Sequence, residues 1–142
     1  MTAYADTSFL VSLYSLDANS VRAATEVSRL NPTLLLTPLG EMELANALEL
    51  RIFRRETTSA EAKAAQAKIL EHIDIGFFVL HAIPDAVYVR ARQLARRRSA
   101  QLGLRTLDIL HVTSALLLRA EIFLTFDLRQ LKLALAEGLK SP

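Results

Sequence analysis

The chain has no cysteine among its 142 residues. A disulfide framework, a thiolate nucleophile and a zinc–thiolate site are therefore excluded. Only four glycines occur, Gly40, Gly76, Gly103 and Gly138, and none lies near another. No glycine-rich loop can cradle a phosphate. There is no Gly-x-Ser-x-Gly turn, so Ser8 and Ser12 have no nucleophile elbow. An Asp-x-Asp pair, as a phosphatase nucleophile would need, is also missing. No apolar run approaches the roughly 20 residues of a membrane span. The longest in the C-terminal half, Val112 to Leu118, is broken by Thr113 and Ser114. The N-terminus shows no basic segment followed by a long apolar stretch, so no signal peptide is expected and a reducing, cytoplasmic location is.

What is present narrows the class further. A length of 142 residues suits one domain spanning 1–142. An apolar content of 51% is ample for a packed core and argues against disorder. The net charge of +2 is small but unevenly spread, with thirteen arginines against four lysines. Arg90, Arg92, Arg96, Arg97, Arg98 and Arg105 crowd one stretch, and Arg51, Arg54 and Arg55 close another. Arginine suits bidentate phosphate recognition. A solvated helix face is the ordinary explanation of either cluster.

Apolar periodicity alternates between strand and helix. Thr2 to Asp6 reads as a short buried strand, and Ser8 to Leu16 as a helix capped by Thr7 or Ser8. Asn19 to Leu30 reads as an amphipathic helix capped by Asn19 or Ser20 and broken by Asn31-Pro32. A strand at Leu34 to Thr37 leads through Pro38 into a helix from Leu39 to Arg55. A helix from Thr58 or Ser59 to about His72 follows, then a strand at Phe77 to Leu80. Pro84-Asp85 opens a helix that stops at Gly103, and Thr106 caps another running to Ala120. Ile122 to Thr125 is the fourth strand, and a last helix runs from about Asp127 to near Gly138. Leu139 to Pro142 would supply a truncated fifth strand. This order predicts an α/β fold with a parallel sheet of four to five strands and helices on both faces.

Four acids stand where strands hand over to helices: Asp6, Glu43, Asp108 and Asp127. Each lies in or beside an apolar stretch, where a charge is costly unless it has a partner. Ligands of such folds sit beyond the carboxyl ends of the strands, at a topological switch point. Four carboxylates gathered there cannot all stay ionised without a cation. Oxygen ligands suit Mg²⁺ or Mn²⁺. Each acid also has a simpler reading. Asp6 and Asp127 could cap the helices that follow them, and Asp108 could answer a helix dipole. Glu41 could replace Glu43, although Asn46 and Ala47, one turn on, share a face with Glu43. Asn46 could hydrogen-bond Glu43 or substrate. His111, three residues after Asp108, reads as a satisfied histidine of the core or of the site's surroundings rather than a catalytic one. His72 and His81 offer no metal–histidine triad.

The segments Asp6-Thr7-Ser8, Glu43-Leu44-Ala45-Asn46-Ala47-Leu48, Arg105-Thr106-Leu107-Asp108-Ile109-Leu110-His111 and Thr125-Phe126-Asp127 carry a resemblance. In order and spacing they resemble the motifs of PIN-domain ribonucleases, above all the VapC toxins of toxin–antitoxin pairs. The likeness spans essentially the whole chain. It implies a three-layer α/β/α sandwich and a Mg²⁺ or Mn²⁺ site formed by Asp6, Glu43, Asp108 and Asp127. Thr125 matches the hydroxyl near the family's last acid, and Thr7 or Ser8 the one beside its first. The resemblance further implies RNA as substrate, with transfer or ribosomal RNA among family targets, an antitoxin that blocks the site, and a homodimer. Phe9, Leu10, Leu13, Tyr14 and the helix from Asn19 are the expected dimer surface.

The chemistry fits that picture, because water rather than the 2′-hydroxyl would attack phosphorus and leave 5′-phosphate and 3′-hydroxyl ends. Two other readings remain open at this level: a catalytically silent binding module on the same scaffold, and a metal-dependent DNA nuclease or phosphatase. No residue identifiable in the sequence reads a 2′-hydroxyl.

Overall fold

Three of the four strands end within three residues of a side chain that caps the next helix. This alternation is visible in a computed structural model that describes all 142 residues, Met1–Pro142. The elements are β1 (Thr2–Ala5), α1 (Thr7–Tyr14), α2 (Ser20–Leu30), β2 (Thr33–Leu36), α3 (Pro38–Phe53) and α4 (Ser59–Asp74). They continue with β3 (Phe78–Leu80), α5 (Val87–Leu102), α6 (Thr106–Leu117), β4 (Ile122–Leu124) and α7 (Leu128–Ala136).

The strands form one parallel sheet in the order β3-β2-β1-β4. Alternate side chains on each strand point to opposite faces, and two separate cores result. Ala3, Ala5, Leu34, Leu36, Phe78, Ile122 and Leu124 pack with Phe9, Leu10, Leu44 and Leu48 of the helices between α1 and α4. Tyr4, Leu35 and Phe123 face the other way, against Leu94, Val112 and Leu133 of α5, α6 and α7. The molecule is thus the expected α/β/α sandwich. No helix is long and apolar enough to cross a membrane.

β1 is where the chain changes direction across the sheet. β2 and β3 are laid down on one side of it, and β4 on the other. A crevice therefore opens beyond the carboxyl ends of β1 and β4, the usual ligand position in such sheets. Asp6 follows β1 directly and Asp127 follows β4 by three residues.

Several local expectations need correcting. Asp6 itself caps α1, accepting from the Phe9 backbone N–H at 2.9 Å, so neither Thr7 nor Ser8 is the cap. Asn19 makes no side-chain cap of α2. Thr37 lies outside β2 and caps α3. α5 starts only at Val87, because Pro84 to Ala86 form a turn closed by Val87 N–H on the Pro84 carbonyl at 3.0 Å. Arg105, not Thr106, is the N-cap residue of α6, and Asp108 accepts its backbone N–H at 3.0 Å. α6 ends at Leu117, before Arg119 in the left-handed region. The fifth strand shrinks to a single parallel bridge between Lys140 and Ile122, since Pro142 has no N–H to extend a ladder.

Part of the expected dimer surface is buried. Phe9 and Leu10 are 2% and 0% exposed, packed beneath the sheet, and Leu13 and Tyr14 lean on the same core. On the helix expected to join them, α2, Val21 is exposed, as are Met42 and Phe53 on α3 and Leu107 beside the crevice.

Leu48 lies fully buried where α3 meets the sheet. Leu48→Ala leaves a cavity there and is expected to cost about 2–5 kcal/mol, read as a lower urea midpoint at unchanged denaturant slope.

Candidate active site

Each acid reaches the crevice from a different element, and each is held by its own donors. Asp6 is 0% exposed at the end of β1. One oxygen accepts from Phe9 N–H and, at 2.7 Å, from the Ser8 hydroxyl, while the other accepts from Thr125 Oγ1 at 2.5 Å. Ser8 in turn accepts from Phe126 N–H and Thr125 from Asp127 N–H, both at 2.9 Å. These two hydroxyls tie the ends of β1 and β4 together around one carboxylate. Burial pushes the Asp6 carboxyl up to about 6, more than the Thr125, Phe9 and Ser8 hydrogen bonds pull it down.

Glu43 projects from α3, two turns past the Thr37 cap. Its Oε2 accepts from Thr7 Oγ1 at 2.8 Å and lies 2.7 Å from His111 Nε2. The other ring nitrogen, Nδ1, is 2.8 Å from the Tyr4 hydroxyl. Burial pushes the Tyr4 phenol well above its ordinary range, so it stays a donor. The imidazole thus links the Tyr4 hydroxyl to the Glu43 carboxylate. Burial would raise the Glu43 carboxyl, but the bonds from His111 and Thr7 outweigh it and hold the group below its usual range. His111 is thus a satisfied histidine, as its position suggested, and its bond is to one of the four acids.

Asp108 is 1% exposed in the first turn of α6. Besides its backbone N–H, Arg105 grips it with Nε at 3.1 Å and Nη2 at 3.2 Å, and Gln130 Nε2 adds a fourth bond at 3.2 Å. The same Nη2 reaches Asp127 Oδ2 at 3.0 Å. Asp127 Oδ1 meanwhile caps α7 through the N–H groups of Arg129 and Gln130. Asp127 therefore does both things its position allowed. It closes a helix and keeps one oxygen toward the crevice.

Thr7, Ser8, Glu43, Arg105, Asp108, Asp127 and Gln130 line one cavity of about 340 Å³, together with Thr106 and Leu107. Asp6 does not open onto it directly and meets its wall through Ser8. Glu43 rather than Glu41 faces the cavity, and Glu41 points into a groove between α3 and α4. Asn46 is exposed in a neighbouring hollow that Thr7, Glu43, Met42 and Leu50 also line, and it makes no hydrogen bond to Glu43. Sequence reasoning missed the site roles of Arg105, Gln130 and Tyr4. Arg105 carried a signal in its place three residues before Asp108; Tyr4 and Gln130 carried none.

The donor set fits a hard divalent cation in kind, since it is all carboxylate and hydroxyl oxygen. No three acids or histidines are drawn close enough here to form a ready ligand cluster. Asp108 and Asp127 take their positive charge from the Arg105 guanidinium, whose side chain is 62% exposed and held between them.

The chain belongs to the PIN domain family, whose model matches residues 3–135. Its fold is similar to that of VapC20 from Mycobacterium tuberculosis, a sarcin–ricin loop cleaving toxin. The two are 17% identical at a TM-score of 0.71, over 97% of this chain and 96% of that one. It is also similar to a chain of VapBC2 from Rickettsia felis, solved bound to a DNA fragment from its promoter. That match has 17% identity and a TM-score of 0.66, over 100% of this chain and 98% of that one. At these identities the likeness is one of fold. No curated protein sequence matches the chain.

The raised Asp6 carboxyl sets a pH dependence. The unfolded chain releases this proton near 3.8, and the native protein keeps it to about 6. The native state binds more protons across that window, so the contribution is full below about pH 4 and is lost as pH rises through 6. The loss is on the order of 2–3 kcal/mol. In chelator, Asp6→Asn is expected to be more stable than wild type at pH 7 and to lose that advantage at pH 4. Urea melts at the two pH values check this.

Proposed function

We propose that this protein is a Mg²⁺- or Mn²⁺-dependent endoribonuclease and the toxin half of a toxin–antitoxin pair. The observation that carries the proposal is the convergence of β1, α3, α6 and the end of β4 on one oxygen-lined crevice, where Glu43, Asp108 and Asp127 line the cavity, Asp6 lies behind its Ser8 wall, and Arg105 bridges Asp108 and Asp127. Membership of the PIN family and the fold shared with VapC20 and VapBC2 support it.

Asp6, Glu43, Asp108 and Asp127 would hold the metal, one or two of them directly and the rest through water. A divalent ion in such a site activates water for in-line attack and offsets charge on the departing oxygen. The chain's own residues supply the order around it. Ser8 and Thr125 fix Asp6. Thr7 and His111 fix Glu43, and Tyr4 fixes His111. Glu43, half-buried at the cavity wall, is placed to take a proton from the attacking water. Arg105, once released from the aspartates, is free to pair with a phosphate. The products are 5′-phosphate and 3′-hydroxyl ends. Transfer or ribosomal RNA is the substrate class, an antitoxin with an arginine-bearing segment is the natural inhibitor of an acidic cavity, and the exposed Met42, Phe53 and Leu107 favour a homodimer.

One observation favours a second reading, a catalytically silent module. Every acid already has a donor, and Arg105 closes the pair Asp108–Asp127. Two measurements separate the readings. Wild type is expected to cut structured RNA in Mg²⁺ or Mn²⁺ and to stop with EDTA or with Asp6→Asn; equal cleavage in all arms sinks the nuclease. Removing the internal counter-ion should favour the metal, so Arg105→Ala is expected to bind Mn²⁺ about five- to tenfold tighter by calorimetry. No heat of binding with either protein supports the silent module.

A further inference from the structure

α5 and α6 enclose a second hollow that the acid cavity does not use. Its walls are apolar, formed by Ala91 and Ala95 of α5 and Ile109 and Leu110 of α6, and its volume is about 260 Å³. Tyr88 and Arg92 stand at its rim. Thr106 lines this hollow and the acid cavity alike, so the two adjoin at the start of α6.

The rim has a pattern of its own. Tyr88, Arg92 and Arg96 recur every four residues and form one exposed stripe on α5. Tyr88 is 72% exposed, an uncommon amount for an aromatic ring of this size. Arg97 and Arg98, next in the chain, both clasp Glu137, at 2.8 and 2.9 Å. Arg92 and Arg96 form no ion pair. An apolar hollow with an exposed ring and one unpaired guanidinium at its rim, and a second a turn further along the same face of α5, suits a flat, partly apolar group joined to anions. A wholly apolar helix would leave those charges stranded against it.

We propose that this hollow is the subsite for a single-stranded RNA nucleotide next to the phosphodiester at the acid cavity. The base enters between α5 and α6 and stacks on Tyr88, and Arg92 and Arg96 pair with the neighbouring phosphates. Stacking on an aromatic ring accepts any base, so the subsite confers a preference for unpaired RNA rather than for a sequence. It rests on the nuclease reading for which phosphate is cut, but its binding chemistry is separate from the acids.

The test is fluorescence anisotropy of a labelled, unstructured oligoribonucleotide in EDTA, with the full-length Asp6→Asn protein as the non-cleaving parent. Adding Tyr88→Ala should weaken binding at least about fivefold, and Tyr88→Phe should restore it. Arg92→Ala and Arg96→Ala should each flatten the salt dependence by about 0.7 in the slope of log K against log salt. All three side chains are exposed, so folding should survive, as a circular dichroism melt will show. Parent-like affinity in Tyr88→Ala and Arg92→Ala, equal loss in Tyr88→Phe and Tyr88→Ala, or no binding by the parent each overturns the subsite. If wild type cleaves RNA while these variants bind normally, the subsite fails and the nuclease reading stands. If the variants lose RNA but wild type never cleaves, the subsite stands and the nuclease reading fails.

Discussion

Negative charge held away from water governs the architecture of this protein. Asp6 and Asp108 are almost wholly buried at the carboxyl edge of the sheet, with Glu43 and Asp127 beside them. A buried carboxylate without donors or a counter-charge is not tolerated. The surroundings answer with hydroxyls, backbone N–H groups, one histidine and one arginine. Almost every polar side chain in this crevice serves an acid, directly or through one intermediate. The arrangement costs stability locally, as functional sites commonly do.

The fold makes such a gathering possible because the chain reverses its direction of travel at β1. Two strand ends then face one crevice, and the helices that follow them present their N-termini to it. The opposite-facing side chains of β1 serve different ends. Ala3 and Ala5 fill one core, and Tyr4 fills the other while sending its hydroxyl to His111. Through that bond the packing between the sheet and α6 sets the position of Glu43, a residue of α3. The site is therefore aligned by both layers of helices, not by the loops above the sheet.

Arg105 gives the crevice two possible states. It is tied to acids on α6 and at the end of β4, yet most of its side chain faces solvent. A guanidinium held by charge rather than by packing can be exchanged for another cation at small cost, because partly exposed ion pairs are weak. The unpaired Arg92 and Arg96 on α5 complete an electrostatic division of labour, with acids at the floor and cations beside the neighbouring hollow.

Short-range regularities made most of the fold legible. Apolar runs bounded by Thr, Asp, Pro and Gly located the four strands and seven helices, and strand-end acids pointed to Asp6 and Asp127. Periods of two and 3.6 residues are local, so they survive in a linear string. Errors came where a local signal had two outcomes. Asp6 was as good a cap as Thr7 or Ser8, and Phe9 and Leu10 were as apolar in a core as in an interface. Pairings were beyond reach. Tyr4 meets His111 across 107 positions, and Glu43 meets His111 across 68. Arg105 was visible as charge but not as the bridge between Asp108 and Asp127. Which acids the chain carries and which elements bear them follow from residue type and spacing. Which donor each acid receives, how deeply it is buried and where its proton sits were decided by packing, since these depend on distances between segments that only the folded sheet brings together.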